Sequence, residues 1–208
     1  MTSNNTSVSS PNKAVERSVE TLQRIYAVVT GLALNESLKK SFVDARGDLY
    51  FEWLSFISLI AFVALLVPFF HGMNRHMDEV LQKYKDSNGG MESKRYSILI
   101  LFDFFVFIVE SGILFLLATT IHRPENFFLL FILLISVDFV WAFVSNKFVT
   151  TVQSNWAWIN FATAVILVII LFFLKQNEQK IILICIVSIF RTILDYSLGW
   201  DFYFPKKS

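Results

Sequence analysis

Long apolar runs alternate with short polar breaks along this chain, and the runs are of the length that crosses a lipid bilayer. Four are nearly free of charge over most of their length: 53–70, 97–121, 127–144 and 156–174. Each is close to the roughly 20 residues needed to span a hydrocarbon core of about 30 Å. A fifth, 181–198, reaches that length by taking in Arg191 and Asp195, because the stretch IILICIVSIF has no other plausible destination.

The N-terminal third reads differently. Ser10 followed by Pro11 is a helix start, a capping residue before the one position where proline fits a helix. From there Val15, Val19, Leu22, Tyr26, Val29 and Ala33 recur at spacings of four and three, which predicts a continuous helical seam. Its most apolar part, 25–34, is too short for a comfortable lone span, so the helix either crosses while packed inside protein or lies at the interface. The fold class expected is all-α: a polytopic membrane helix bundle of six transmembrane helices, with five plus a short amphipathic N-terminal helix as the alternative. One bundle domain over 11–200 is expected, after a disordered polar tail at 1–10 and before a short cytoplasmic tail at 201–208. The segment 72–96 reads as a cytoplasmic connector, a short helix ended by an Asn-Gly-Gly turn.

Composition sharpens this picture. Apolar residues make up 55% of the chain and 23 residues are Phe, so too few polar side chains remain to cover a soluble domain of 208 residues. The net charge of +1 offers no basic field for nucleic acid. The single cysteine, Cys185, lies in an apolar run and is read as a packing residue. The first ten residues lack the basic start and apolar core of a cleaved signal peptide.

Charge is more useful as a topology signal. If the N-terminal helix crosses with its start inside, eleven Lys and Arg fall on the cytoplasmic side and six on the other; if it does not cross, the split is eight to nine. The usual excess inside favours six spans in a cell membrane with both termini cytoplasmic. Lys39, Lys40 and Arg46 stay on the opposite side in that reading. Tyr50, Trp53, Trp156, Trp158, Trp200 and Tyr203 are expected as interface anchors.

The chemistry concentrates where it is most costly. Asp103, Glu110, Asp138, Arg191 and Asp195 lie within apolar runs, and each charge costs roughly 2.5–3.5 kcal/mol at the centre of a lone inserted helix. Glu110, Asp138 and Arg191 fall near mid-depth, while Asp103, Asp195 and Asn160 form a layer nearer the cytoplasm. A buried salt-bridge network would have Arg191 held by Glu110, Asp138 or Asp195, leaving at least two acids without a cation. Those acids would be protonated, hydrated or neutralised by passing ions. Glu36 in ALNESLKK reads as a helix end close to Lys40, or else as part of an acidic ring at a pore mouth. His71 and His76 do not share a helix face, so no metal site is expected there. No phosphate loop, HExxH or nucleophile triad appears, so neither an enzyme nor a cofactor is expected.

The placement of Asp103, Glu110, Asp138 and Arg191 resembles the charge layout of voltage-sensor domains, where acids on earlier helices hold arginines on the fourth. Such sensors repeat arginine every third residue, whereas IFRTILD has only Arg191. The expectation is a homo-oligomeric ion channel or pore subunit with a buried acidic network. Its competitors are a membrane effector, as in prokaryotic defence, regulated by a soluble partner at 72–96; a proton-coupled transporter; and a scaffold without transport.

Overall fold

The computed structural model describes residues 11–44, 46–87, 91–147 and 152–205. The expected tail at 1–10 and the Asn-Gly-Gly turn lie outside the described residues. Among the described residues seven helices follow one another: α1 Pro11–Phe42, α2 Trp53–Asp86, α3 Met91–Thr119, α4 Pro124–Ser145, α5 Val152–Phe173, α6 Asn177–Leu198 and the single turn α7 Trp200–Tyr203. The fold is an all-α bundle, and no β-strand occurs among the described residues, where pairing is limited to one isolated bridge between Val43 and Leu49. Five helices, α2 to α6, are long and apolar enough to cross a membrane.

These five form a ring, α2 to α3 to α4 to α5 to α6 and back to α2, and α4 also touches α6 across its interior. Helix α1 lies in the groove between α2 and α3. It runs antiparallel to α2 along its full length. Phe42 meets Phe56 at one end, Tyr26 stacks on Phe70 midway, and Lys85 binds Glu16 at the other. The 32 residues of α1 extend about 48 Å, so α1 is not short. It covers the same depth as α2. Four of the six predicted seam residues, Val19, Leu22, Tyr26 and Ala33, are buried, Val15 and Val29 are partly buried, and Ser37 and Ser41 continue the face.

Helix α2 does not stop where its apolar run stops. The segment 72–86 is its unbroken continuation, so it is not a separate connector helix. The reason lies in the seam Phe62, Leu65, Phe69, Met73, Met77, Val80 and Tyr84, which is buried throughout. Packing against α1 and α3 sustains the helix beyond the lipid-like stretch. Pro68 sits inside α2 and cannot donate to the carbonyl four residues back. That carbonyl, Ala64 O, accepts instead from Thr192 Oγ1 of α6 at 2.6 Å. A neighbouring helix thus satisfies the freed backbone group, which water cannot do within a bilayer.

The turn that opens the expected short tail packs on the bundle. Phe202 and Tyr203 are buried, and Arg75 Nε donates to Phe202 O at 3.0 Å, docking α7 on α2. Trp53, Trp158 and Trp200 are exposed as interface anchors would be, but Trp156 and Tyr203 are 3% exposed and belong to the core. The Trp156 indole lies against Gly72, where a Cβ would collide with it. Those two aromatics fill the end of the ring rather than facing lipid headgroups.

Candidate functional site: a polar interior in two parts

On the α4 to α7 side, four of the residues singled out in the sequence come together. Arg191 is the hub. Its Nε and Nη2 donate to Asn160 Oδ1 at 3.0 and 2.6 Å. Asn160 Nδ2 in turn donates to Asp138 Oδ2 at 2.5 Å. The Asn160 amide therefore links a cation to an anion, with its oxygen toward one and its nitrogen toward the other. Arg191 Nη2 also lies 3.5 Å from Asp138 Oδ2, and Nη1 lies 3.9 Å from Asp195 Oδ2, one helical turn on. Tyr203 of α7 donates to the same Asp195 oxygen at 2.9 Å, and the guanidinium sits 5.1 Å from the centre of the Phe69 ring. Asp138, Asn160, Arg191 and Asp195 are all buried. The two predicted depth layers are joined here through Asn160.

On the α1 to α4 side the arrangement was not foreseen. Asp103 is fully buried and receives His76 Nε2 at 3.0 Å on one oxygen and Trp141 Nε1 at 2.8 Å on the other. His76 is equally buried and packs edge-on against Trp141, 4.8 Å between ring centres. The sequence held the signal. His76 lies three residues after Met73 and four before Val80, on the seam that buries α2, but it falls past the apolar run 53–70 that marks the span in sequence. No group of three or more metal-ligating side chains occurs among the described residues.

Glu110 belongs to neither cluster. It is 2% exposed, its Oε1 meets no hydrogen-bond partner, and it enters no ion pair among the described residues. The expectation that it holds Arg191 is not met, because Asp138, Asn160 and Asp195 occupy that guanidinium. Asp138, Asp103 and Arg191 are near enough to act on Glu110 electrostatically. So is Tyr26 of α1, whose hydroxyl is likewise buried without a partner. The Tyr26 ring packs edge-on with Phe107, about one turn before Glu110. Two orphan polar groups therefore share the middle of the bundle, where each unmet group costs on the order of 1–3 kcal/mol.

Glu36 stands apart from all of these. It is partly buried and lies 3.8 Å from Lys40, in the last two turns of α1.

No protein family, curated protein or solved structure matches the chain. The apolar helices define the class: this is a multi-pass, membrane-embedded helical protein.

Proposed function

We propose that the protein is a subunit of a homo-oligomeric ion channel or pore in a cell membrane, closed in the conformation described. The reading rests on Glu110, a buried carboxyl midway along a spanning helix whose Oε1 has no partner. Ionisable groups are kept at such depth, against their cost, where ions or protons pass. Cations are favoured, since Asp103, Glu110, Asp138 and Asp195 share the interior with Arg191 and His76.

The interior is filled by Phe62, Phe69, Phe131 and Trp141, so conduction requires a rearrangement. Helix α1 is the element to move. It is the least apolar of the long helices, and it carries Tyr26 over the region of Glu110. As a sixth span it puts both termini on one side, and the charge bias makes that side cytoplasmic.

A partner-regulated effector, of the kind that permeabilises membranes in prokaryotic defence, is a second form of the reading. One observation favours it: α1 is tied to the α2 extension by exposed polar bonds, Lys85 to Glu16 at 2.8 Å and Gln23 to Asp78 at 3.1 Å. A soluble partner binding within 72–96 would compete for them.

The test is current through planar bilayers holding purified protein. Glu110→Gln should alter conductance or cation preference while leaving the protein folded, and breaking the bond with Lys85→Glu should raise basal leak. If wild type and Lys85→Glu both carry no current, the channel reading fails and a membrane scaffold without transport takes its place.

A further inference from the structure

The end of the bundle remote from the His76–Asp103 pair has a feature that the ion-path reading does not use. The connection after α1 and the one between α3 and α4 enclose a cleft of about 500 Å3, lined by Lys39, Lys40, Val43, Asp44, Tyr50 and His122. Lys39 and Lys40 are two of the cations that the charge bias leaves on the side usually poor in them.

The cleft is held in shape. Tyr50 donates its hydroxyl to Lys40 O at 2.9 Å, and Val43 pairs with Leu49. Gly47 turns the loop with a positive φ of 91°, a region that favours glycine. The one carboxylate in the lining is already engaged, since Asp44 Oδ1 accepts from the backbone N–H of Arg46 and Asp48 at 2.8 and 2.9 Å. Lys39 enters no ion pair among the described residues, and Lys40 has only the half-exposed contact with Glu36 at 3.8 Å. Partial burial first, then the charges of Arg123 and Lys40, hold the His122 imidazole below its ordinary pKa. Lys39, Lys40 and Arg123 make the local potential positive, offset in part by Glu52 and Glu36.

The surroundings indicate what would answer it. Leu49, Phe51 and Trp53 follow the cleft in sequence and are 86%, 63% and 60% exposed. Aromatic and aliphatic side chains at the start of a spanning helix belong at the boundary of acyl chains and headgroups. A phosphate held between lysines beside such a hydrophobic rim is the geometry of a bound lipid.

We propose that this cleft binds a phosphate anion, supplied by the headgroup of an acidic phospholipid, with Lys39, Lys40 and His122 around it. The site rests on the membrane-embedded fold and not on the ion path, so either reading can fail without the other.

Lipid retention tests it, by native mass spectrometry of the full chain released from phosphatidylglycerol and from phosphatidylcholine nanodiscs. Wild type should retain phosphatidylglycerol, and Lys39→Gln with Lys40→Gln should weaken retention roughly thirtyfold, at about 1 kcal/mol for each lysine. Lys175→Gln with Lys180→Gln removes the same charge outside the cleft and should change it little. Circular dichroism in phosphatidylcholine checks that both variants are folded. Displacement of the lipid by millimolar inorganic phosphate supports the anion chemistry and shows that free phosphate also reaches the site; resistance to displacement supports the lipid as the sole source. Equal loss in the two double variants, or retention unchanged in the first, overturns the proposal.

Discussion

The two halves of the polar interior treat buried charge in opposite ways. Around Arg191, three side chains from α4, α5 and α6 surround the guanidinium, and Tyr203 completes Asp195, although Nη1 of Arg191 has only the 3.9 Å ion pair and no hydrogen bond. Across the bundle, Asp103 is answered by a histidine and an indole, while Glu110 and Tyr26 each keep an unmet polar atom. A cluster in which each acid faces a cation holds helices in register. An unmatched carboxyl in the same low-dielectric setting adds nothing to stability, so its presence calls for another explanation.

The comparison can be broken most strongly at Arg191. Replacing it by Leu strands Asp138 and Asp195 together, and the loss should be about 3–5 kcal/mol, seen as failed accumulation or a collapse of thermal stability in detergent. A variant as stable as wild type would mean that the α4 to α6 cluster is not ionic. His76→Phe should follow, at about 1.5–3 kcal/mol, because among the described residues Asp103 then keeps Trp141 alone. Thr192→Val removes the donor that replaces the missing proline N–H at Ala64 and should cost about 0.6–1.7 kcal/mol, with α6 loosened against α2 in hydrogen exchange.

Glu110→Gln should lie within about 0.5 kcal/mol of wild type or be more stable, since Glu110 Oε1 has no hydrogen-bond partner to lose. A large destabilisation there would show Glu110 to be a structural partner after all, and would erase the contrast. Smallest of all is a pH effect outside the spans. Folding depresses the His122 pKa from its ordinary 6.5 through burial and the neighbouring Arg123 and Lys40 charges. The stability this contributes is present above the unfolded value and is lost as pH falls through the folded one. Solvent screening keeps the effect slight. Melting curves of wild type and His122→Gln should therefore coincide at pH 8 and separate marginally below pH 6, with wild type the lower.

How far the site could be read in advance depended on where each residue sat. Arg191, Asp138 and Asp195 announced themselves because charge within an apolar run has no surface explanation. His76 did not, for it lies past the last strongly apolar residue of α2, where polarity looks like solvent. Only the seam from Phe62 to Tyr84 marks it as buried, and that seam is visible once the helix is allowed to outlast the lipid-like stretch. Trp156 and Tyr203 were misread for a related reason. An aromatic residue near a span end fits an interface belt equally well on either face of the helix, and its direction is set by the neighbour it meets, here Gly72 and Asp195.

The sequence by itself determined that this chain is membrane-embedded, that at least five runs are long and apolar enough to cross, and which charged residues lie within them. Hydrophobic run length and the cost of burying charge are local properties, summed along the chain. Which acid meets which cation is not local. Arg191 had three candidate acids: Asp195 is its own i+4 neighbour on α6, and only the close approach of α4 and α5 added Asp138, bridged by Asn160, and left Glu110 out. The same packing gave Asp103 its histidine and left Glu110 with none.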